Sequence, residues 1–327
     1  MLLGAIIILA IFTVIFHIVF FVDLTKSLTG PIYKRKYKVG SSITAYLMLL
    51  PACILAFLFI LIPIIYSLGY AFTDYYSLEP DNIRFIWFDN FIDIVNDFNN
   101  KGDLYHAVRN TAIFVACVVP LQIGLALALA LFCNTKKPGT GIFKVCFFAP
   151  VVISLTVTSY LWLHILSPSE TGLLNSFLGL FGVPAQDFLG NEDTAILWIV
   201  ILSAWQGCGF QMLIFLSALT NIRKDLYEAA ALDGAGAWGK FWNVTVPALK
   251  PTFLYVLITV FIGACRILVQ PMIMIGYHKR VITISYYMFQ IGFNDRWVGL
   301  SSAVALLMTI FIGTITLIQR KLLGEKD

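Results

Sequence analysis

The chain has 327 residues, of which 59% are hydrophobic and 12% charged, and its formal net charge is +4. Its mean hydropathy is +0.86. These values exclude an ordinary soluble domain, in which about a quarter of the residues are charged, and they indicate a polytopic membrane protein.

Seven apolar segments are long enough to cross a bilayer as helices, which takes about twenty residues each. They are residues 1–22, 43–72, 107–133, 145–167, 194–219, 251–276 and 297–319. Segments of this length do not suit a membrane β-barrel, whose strands cross in about ten residues of alternating polarity. The sequence therefore predicts an all-α fold with about seven transmembrane helices.

The first apolar segment lacks the positive start and the small-residue cleavage pattern of a signal peptide. We interpret residues 1–42 as an additional transmembrane helix followed by a basic cytoplasmic linker, and residues 43–327 as a six-helix core. The basic run at 34–38 is typical of a cytoplasmic anchor beside acidic lipid, and we assign it no role with nucleic acid.

A polar interruption separates the fifth and sixth apolar segments at residues 221–250. Asn221 is a candidate N-cap for a helix rich in alanine. Gly234 and Gly236 are expected to end that helix, because glycine adopts the left-handed conformation without a Cβ clash. A short second helix would follow before the chain enters the next span. The sequence thus predicts a helix–turn–helix unit outside the membrane.

The interruption reads YEAAALDGAGAWGKFWNVTVPALKP at residues 227–251. It resembles the EAA loop of binding-protein-dependent ABC importers, and residues 43–320 resemble the sugar (maltose-type) permease family. The resemblance implies a type I importer permease core with a coupling loop at 221–250, in a non-catalytic subunit. It also implies that five residues of the loop contact an ATPase: Glu228, Ala229, Ala230, Asp233 and Gly234.

Other matches to the family lie along the core. Asn110 and Thr111 resemble its Asn-Thr pair, and residues 143–154 resemble the segment before its next helix. Arg223 replaces a proline usual before the EAA triplet, and residues 275–283 replace a Gly-Gly-Pro turn. These departures leave the coupling argument intact and weaken any transfer of substrate identity.

Charge distribution predicts the orientation. If the EAA loop is cytoplasmic, the inner segments are 23–42, 134–144, 220–250 and 320–327, and they hold fifteen of the 22 Lys and Arg residues. The N-terminus is then outside and the C-terminus inside the prokaryotic plasma (inner) membrane.

Polar and aromatic residues at mid-span depth are the candidates for a substrate pathway. The resemblance implies contacts on the helices before and after the EAA loop, at Gln206, Gly207, Phe210, Gly263, Arg266, Ile267 and Gln270. Because Pro271 lacks an N–H group, we expect a free carbonyl at Ile267 and a locally unwound helix. Gln residues that bond between packed helices are the alternative interpretation.

Arg266 is a charge inside a predicted span, and such charges are normally paired or functional. No Asp or Glu lies within the proposed spans. A second permease, backbone carbonyls or an anionic ligand remain as partners, with snorkelling to the surface as a competing interpretation. An acidic, uronate-containing oligosaccharide is therefore one hypothesis for the cargo, helped by a positive vestibule at 278–280.

The chain has no ATP-binding motif, and its six Cys and four His residues show no metal-ligand spacing. The resemblance implies that two partner ATPases bind the ATP and Mg²⁺. It implies three further contacts besides membrane lipid: a second homologous permease, an extracellular or periplasmic solute-binding protein and an oligosaccharide. Residues 73–106 are either a docking surface for the binding protein or a solvated loop. A glycerol-phosphate importer, a secondary transporter and a membrane scaffold remain as alternative functions.

Overall fold

The computed structural model of the chain describes residues 39–135, 139–191 and 194–323. The predicted first span and most of its basic linker therefore lie outside the described residues. The chain divides into two compact units, Met1–Gly69 and Tyr70–Asp327. Within the described residues, strand-like pairing is limited to two isolated bridges, Thr73–Phe85 and Tyr76–Trp297.

The described part of the first unit is helical. Helix α1 (Val39–Ala56) continues through one π turn into α2 (Ile62–Tyr70). The π turn precedes Pro63, whose ring removes a hydrogen bond and displaces the carbonyl one turn earlier. No residue is buried in the most apolar 18-residue window of Tyr46–Tyr70. An apolar helix of this kind is stabilised by the hydrocarbon of a membrane.

The second unit contains the remaining helices. In chain order they are α3 (Asp89–Asn99), α4 (Asp103–Cys133), α5 (Thr140–Val152), α6 (Leu155–Ile165), α7 (Leu173–Gly179), α8 (Ala195–Asn221), α9 (Lys224–Leu232), α10 (Ala237–Lys240), α11 (Val246–Cys265), α12 (Val269–Met274), α13 (Ile284–Phe289) and α14 (Val298–Leu323). Two π turns join this series, Phe241–Thr245 before α11 and Gln290–Asn294 after α13.

Helices α4 and α8 run parallel and form the most extensive helix pair of the unit. Small residues of α4, including Ala126 and Ala130, pack in one buried cluster with Met212 and Phe215 of α8. Helix α5 also lies close to α8, since a Cβ at Gly209 would come within 2.2 Å of the Phe147 carbonyl oxygen. Glycine at this position therefore permits the close approach of the two helices.

Five described helices are apolar and long enough to cross a membrane, and a bent pair gives a sixth candidate. They match six of the seven predicted spans. The predicted span 145–167 corresponds to this pair, and α5 and α6 are bent by 101° at the break between them. Ile153 and Ser154 are extended at the bend, directly after the turn of α5 that contains Pro150. Proline near a helix end removes a backbone donor and favours such a break.

The segment between α8 and α11, residues 222–245, is called the EAA segment below. The predicted N-cap at Asn221 is wrong, because the apolar periodicity carries α8 through that residue. Extended backbone at Ile222 and Arg223 then separates α8 from α9. Since α8 has 27 residues, its first turn lies about 40 Å from the EAA segment. We call that opposite end of the bundle the far end.

Candidate functional site

The EAA segment is a unit capped by its own backbone. Gly234 has a φ of +80°, which confirms the predicted stop at this residue. The left-handed stop predicted at Gly236 is wrong, because Gly236 is extended and precedes the next helix. The N–H of Gly234 donates to the Ala231 carbonyl at 3.1 Å, and the N–H of Ala235 donates to that of Ala230 at 2.8 Å. This pair of bonds is a Schellman motif, which satisfies carbonyls left open at a helix end.

A second connection braces the two helices of the EAA segment. The Tyr227 hydroxyl lies 2.9 Å from the Thr245 hydroxyl, and Thr245 is buried. Beside it, Trp238, Phe241 and Trp242 form an aromatic group with ring centroids 5.4 to 5.8 Å apart. The angle between α9 and the following turns is therefore fixed by contacts within the segment.

The surface of the EAA segment is apolar to an unusual degree. Leu232 is 90% exposed and Trp238 72% exposed. The predicted coupling residues lie on this segment: Glu228, Ala229, Asp233 and Gly234 are exposed and Ala230 is half-buried. Exposed large apolar side chains grouped in this way are typical of an interaction surface.

The predicted span 251–276 is interrupted at Arg266. Helix α11 ends at Cys265, and α12 begins only at Val269. The local unwinding matches the prediction, whereas the expected free carbonyl at Ile267 is wrong. That oxygen accepts a hydrogen bond of 2.7 Å from the Thr283 hydroxyl. A buried carbonyl without a helical donor needs such a partner, and the loop after α12 supplies it.

A cavity of about 420 Å³ adjoins this break, and we call it the Arg266 cavity. It brings together four of the predicted pathway residues, Gly263, Arg266, Ile267 and Gln270. A side chain at Gly263 would meet no atom within 4 Å, so the cavity is open at that point. Arg266 and Gln270 lie on either side of the break between α11 and α12, but the fold places both residues on one cavity.

The cavity also contains four polar residues that the sequence analysis missed: Gln122, Ser203, Gln211 and Thr259. Gln122 donates to the Gln211 amide oxygen at 3.0 Å. Ser203 Oγ is buried without a hydrogen-bond partner among the described residues. The signal that could have found them is the same polarity inside an apolar span that marked Gln206. A cavity with amides, hydroxyls and one guanidinium can bind a hydroxyl-rich ligand.

The other three predicted pathway residues lie elsewhere. Gln206 is buried and donates at 3.1 Å both to the Ile153 carbonyl and to the Thr158 hydroxyl. Its amide therefore supplies a hydrogen bond to a backbone carbonyl at the break between α5 and α6. Phe210 is 49% exposed and lines a separate groove of about 900 Å³ near the EAA segment. A side chain at Gly207 would approach the Gln122 amide within 2.3 Å.

At the far end, the loop after α12 is tied to the start of α4. Asn110 donates to the carbonyls of Lys279 and Ile282 at 2.9 and 3.0 Å, and the Ile284 N–H donates to the Thr111 hydroxyl at 3.0 Å. Tyr277 donates to Asp103 at 2.8 Å. Burial, together with this bond to a carboxylate, raises the pKa of Tyr277 far above its usual range.

The family model described as "Binding-protein-dependent transport system inner membrane component" matches residues 122–326. The chain belongs to this family. It is 31% identical over 287 residues to the probable ABC transporter permease protein YurN of Bacillus subtilis, covering 86% of this chain and 96% of that protein. The predicted permease subunit, non-catalytic and inserted in the inner membrane, is thereby confirmed.

Two other relatives of this permease carry sugar names. It is 31% identical over 289 residues to the arabinooligosaccharides transport system permease protein AraP of Bacillus subtilis, covering 86% of this chain and 88% of that protein. It is 32% identical over 269 residues to the lactose transport system permease protein LacF of Rhizobium radiobacter, covering 80% and 86%. The predicted membership of the sugar-type ABC importer permeases is confirmed.

The fold of the permease is also found in a solved structure. The crystal structure of a bacterial alginate ABC transporter, in complex with an alginate pentasaccharide-bound periplasmic protein, superimposes with a TM-score of 0.75 at 23% identity. The match covers 86% of this chain and 94% of that one. This confirms the predicted all-α type I importer permease core.

Proposed function

We propose that this permease forms, with a second homologous permease, the translocation path of an ATP-driven oligosaccharide importer. The Arg266 cavity is the observation that carries the proposal. Its amides and hydroxyls both donate and accept hydrogen bonds, as neutral sugar hydroxyls require. The names of the relatives AraP and LacF support a sugar cargo.

The charge of Arg266 favours an acidic oligosaccharide. Neither of the two ion pairs among the described residues, Arg84–Asp74 and Arg223–Asp225, involves this guanidinium. A carboxylate on the cargo matches a guanidinium in charge and in geometry. The alginate transporter that shares the fold is described as importing an acidic polysaccharide, although the cargo proposed here rests on Arg266 itself. A small phosphate ester such as glycerol phosphate is the alternative, since phosphate also pairs with Arg266.

The EAA segment is proposed to receive the force for transport. Two ATPase subunits, which bind the ATP and Mg²⁺, would clasp its exposed apolar surface and move the capped helix pair as one body. Glu228 would hold the segment by an ion pair or hydrogen bonds, and Ala229, Ala230, Asp233 and Gly234 would allow close approach. The central path would then open outward on ATP binding and inward after hydrolysis, which is alternating access.

This scheme places the EAA segment in the cytoplasm and the far end outside. The N-terminus is then outside and the C-terminus inside, as the charge distribution predicts. A binding protein would deliver the cargo at the far end, where residues 73–106 are available for contact. Residues 1–42 would add one helix to the six-helix permease domain at 43–327.

The cargo is tested with the importer purified from its host together with its permease partner, ATPases and binding protein. After reconstitution in proteoliposomes, uptake of alginate or galacturonate oligosaccharides is compared with uptake of neutral oligosaccharides of equal length and of glycerol phosphate. We expect Arg266→Gln to reduce acidic uptake selectively, and Arg266→Lys to restore part of it. Arg296→Gln is the matched control, because Arg296 is an exposed basic residue that does not line the cavity.

Equal loss of acidic and neutral uptake in Arg266→Gln would refute charge recognition and leave the neutral oligosaccharide importer. If the importer took up glycerol phosphate but no oligosaccharide, the cargo would be the small phosphate ester and the oligosaccharide proposal would be wrong. Recovery of the chain without an ATPase in several mild detergents would contradict the importer assembly.

The coupling role is tested separately with Glu228→Ala and Gly234→Pro in the same proteoliposomes. We expect both variants to assemble less firmly or to lose the ATPase stimulation that accompanies transport. Normal assembly together with normal transport-coupled ATPase activity would refute the role of the EAA segment.

A further inference from the structure

A second cavity, of about 320 Å³, lies at the far end between the first turns of α4, the start of α8 and the loop after α12. Four basic side chains line it: His106, Arg109, Lys279 and Arg280. They come from two segments that are 170 residues or more apart in sequence. We call this cavity the basic pocket.

The basic pocket is held in shape by hydrogen bonds. The buried amide of Asn110 fixes the Lys279 carbonyl against α4 at 2.9 Å. Arg280 donates to the Gly190 carbonyl and, through Nε at 2.9 Å, to Nδ1 of His278. These contacts position the loop backbone and the Arg280 guanidinium before any ligand arrives, which lowers the entropic cost of binding.

Polarity changes along the depth of the basic pocket. Arg109 is exposed at the rim, and Ile113 lies one helical turn further along α4. From Leu197, which lines the pocket, Ile201 and Trp205 follow at four-residue spacing on α8, and all three are about 40% exposed. An apolar stripe thus descends along α8 from a cationic rim, which is the polarity profile of a membrane lipid and its headgroup.

No cation of the basic pocket forms an ion pair among the described residues, although Arg280 donates hydrogen bonds to the Gly190 carbonyl and to His278. The two ion pairs formed among the described residues involve neither Arg109, Lys279 nor Arg280. Glu192 and Asp193 follow Asn191 in the sequence and lie outside the described residues. Three guanidinium or ammonium groups beside an apolar stripe match the chemistry of a phosphate headgroup.

We propose that the basic pocket binds the phosphate headgroup of an anionic glycerophospholipid, with an acyl chain along the stripe of Leu197, Ile201 and Trp205. The placement of this lipid in the outer leaflet rests on the orientation given under the proposed function. The pocket is a poor sugar site, because no Phe, Tyr or Trp ring lines it and the Asn110 amide nitrogen is already bonded to two carbonyls. The lipid holds the starts of α4 and α8 together at the membrane surface.

The test uses the complete importer, purified in detergent, delipidated and titrated with phosphatidylglycerol or phosphatidylcholine. Native mass spectrometry counts the bound lipids. The test variant is Arg109→Gln with Lys279→Gln, both exposed positions. Lys101→Gln with Arg296→Gln is the matched control, because it removes the same charge from exposed residues outside the pocket.

We expect the unchanged importer to prefer phosphatidylglycerol and the control to retain that preference. The test variant should bind phosphatidylglycerol more weakly by about fivefold for each cation removed, with phosphatidylcholine binding unchanged. Equal phosphatidylglycerol binding in the test variant and the control would overturn the proposal.

Soluble anions separate a lipid site from an anion site. Displacement of phosphatidylglycerol by glycerol phosphate or an alginate oligosaccharide at equal concentration would also overturn it, because the apolar stripe would then contribute nothing. Lipid binding is read without transport, so its failure is distinguishable from failure of the proposed cargo, which is read by uptake in Arg266→Gln.

Discussion

The EAA segment and the far-end loop, residues 275–283, both connect helices, but they are stabilised in opposite ways. The EAA segment closes its backbone locally, at Gly234, and leaves Leu232 and Trp238 exposed. The far-end loop gives its carbonyls to a distant helix, through Asn110, and buries Val281 and Ile282 completely. The EAA segment satisfies its backbone hydrogen bonds locally and presents an exposed apolar surface. The far-end loop depends on hydrogen bonds and packing with the rest of the bundle.

The difference indicates how each segment takes part in transport. A locally capped unit can move against the bundle without breaking bonds to it, which suits a surface proposed to receive force. A loop bonded across 169 residues of sequence moves only when the bundle moves. Changes in the EAA segment should therefore affect coupling, and changes in the far-end loop should affect stability.

The largest effect on coupling is expected at the glycine turn. Gly234→Ser places a side chain at a φ of +80°, which costs about 1–2 kcal/mol and depopulates the native turn by a factor of about 5–30. Gly236→Ser is the matched control, because Gly236 has a φ of −70° and both positions have open space around the Cβ. Transport-coupled ATPase activity should fall in the first variant only. Equal activity in both variants would show that the turn geometry does not matter for coupling.

The largest effect on stability is expected at the far-end loop. Asn110→Ala leaves two buried or half-buried carbonyls without a donor and should lower the free energy of unfolding by about 2–3 kcal/mol. Asn82→Ala is the control, since Asn82 is exposed and makes one bond of 3.4 Å. The thermal midpoint of the assembled importer is the measurement. A shift no larger than that of the control would contradict the anchoring role.

The brace inside the EAA segment should matter less. Tyr227→Phe removes the hydroxyl bonded to Thr245, worth about 0.5–1.5 kcal/mol. We expect weaker stimulation of the ATPase by transport and an unchanged thermal midpoint of the bundle. Tyr255→Phe is a control at an exposed tyrosine on α11. A lowered thermal midpoint with normal stimulation of the ATPase by transport would mean that the EAA segment does not move separately from the bundle.

The smallest effect is expected for the ion pair between Asp74 and Arg84. Hydrogen bonds from the Arg84 backbone and guanidinium hold the pKa of Asp74 below its ordinary value of 3.8. Because the folded-state pKa is depressed, this stabilisation is present above the ordinary pKa and is lost as the pH falls through the folded value. Asp74→Asn should remove that acid-dependent part, worth less than about 1 kcal/mol for an exposed pair. Thermal midpoints measured across this acid range, at low and high salt, test it, and an unaltered pH dependence would contradict the assignment.

Local features of the chain could be predicted from the sequence. The apolar spans follow from length and composition, and the Gly234 stop follows from the conformational freedom of glycine. The unwinding near Pro271 follows from its missing donor. Each depends on residues a few positions apart, so the sequence states the cause directly.

The N-cap predicted at Asn221 was wrong, and the sequence analysis did not foresee the bend within the span 145–167, although both features have local causes. At Asn221 the apolar run outweighs a good capping residue. At the bend, the open carbonyl of Ile153 is tolerated because Gln206, more than fifty positions away, donates to it. The sequence alone indicated that Gln206 was a candidate ligand contact. A polar residue in an apolar span gives the same pattern whether it binds a ligand or bonds to a neighbouring helix.

The sequence by itself determined the class of protein, the family, the spans and the capped EAA segment. Only the tertiary structure decided which polar residues share a cavity: Arg266 and Gln270 with Gln122, Ser203 and Gln211, and Arg109 with Lys279. These groupings depend on which faces of separate helices meet, and that is fixed by packing across the whole bundle. Periodicity within one helix carries no information about the helix it will face.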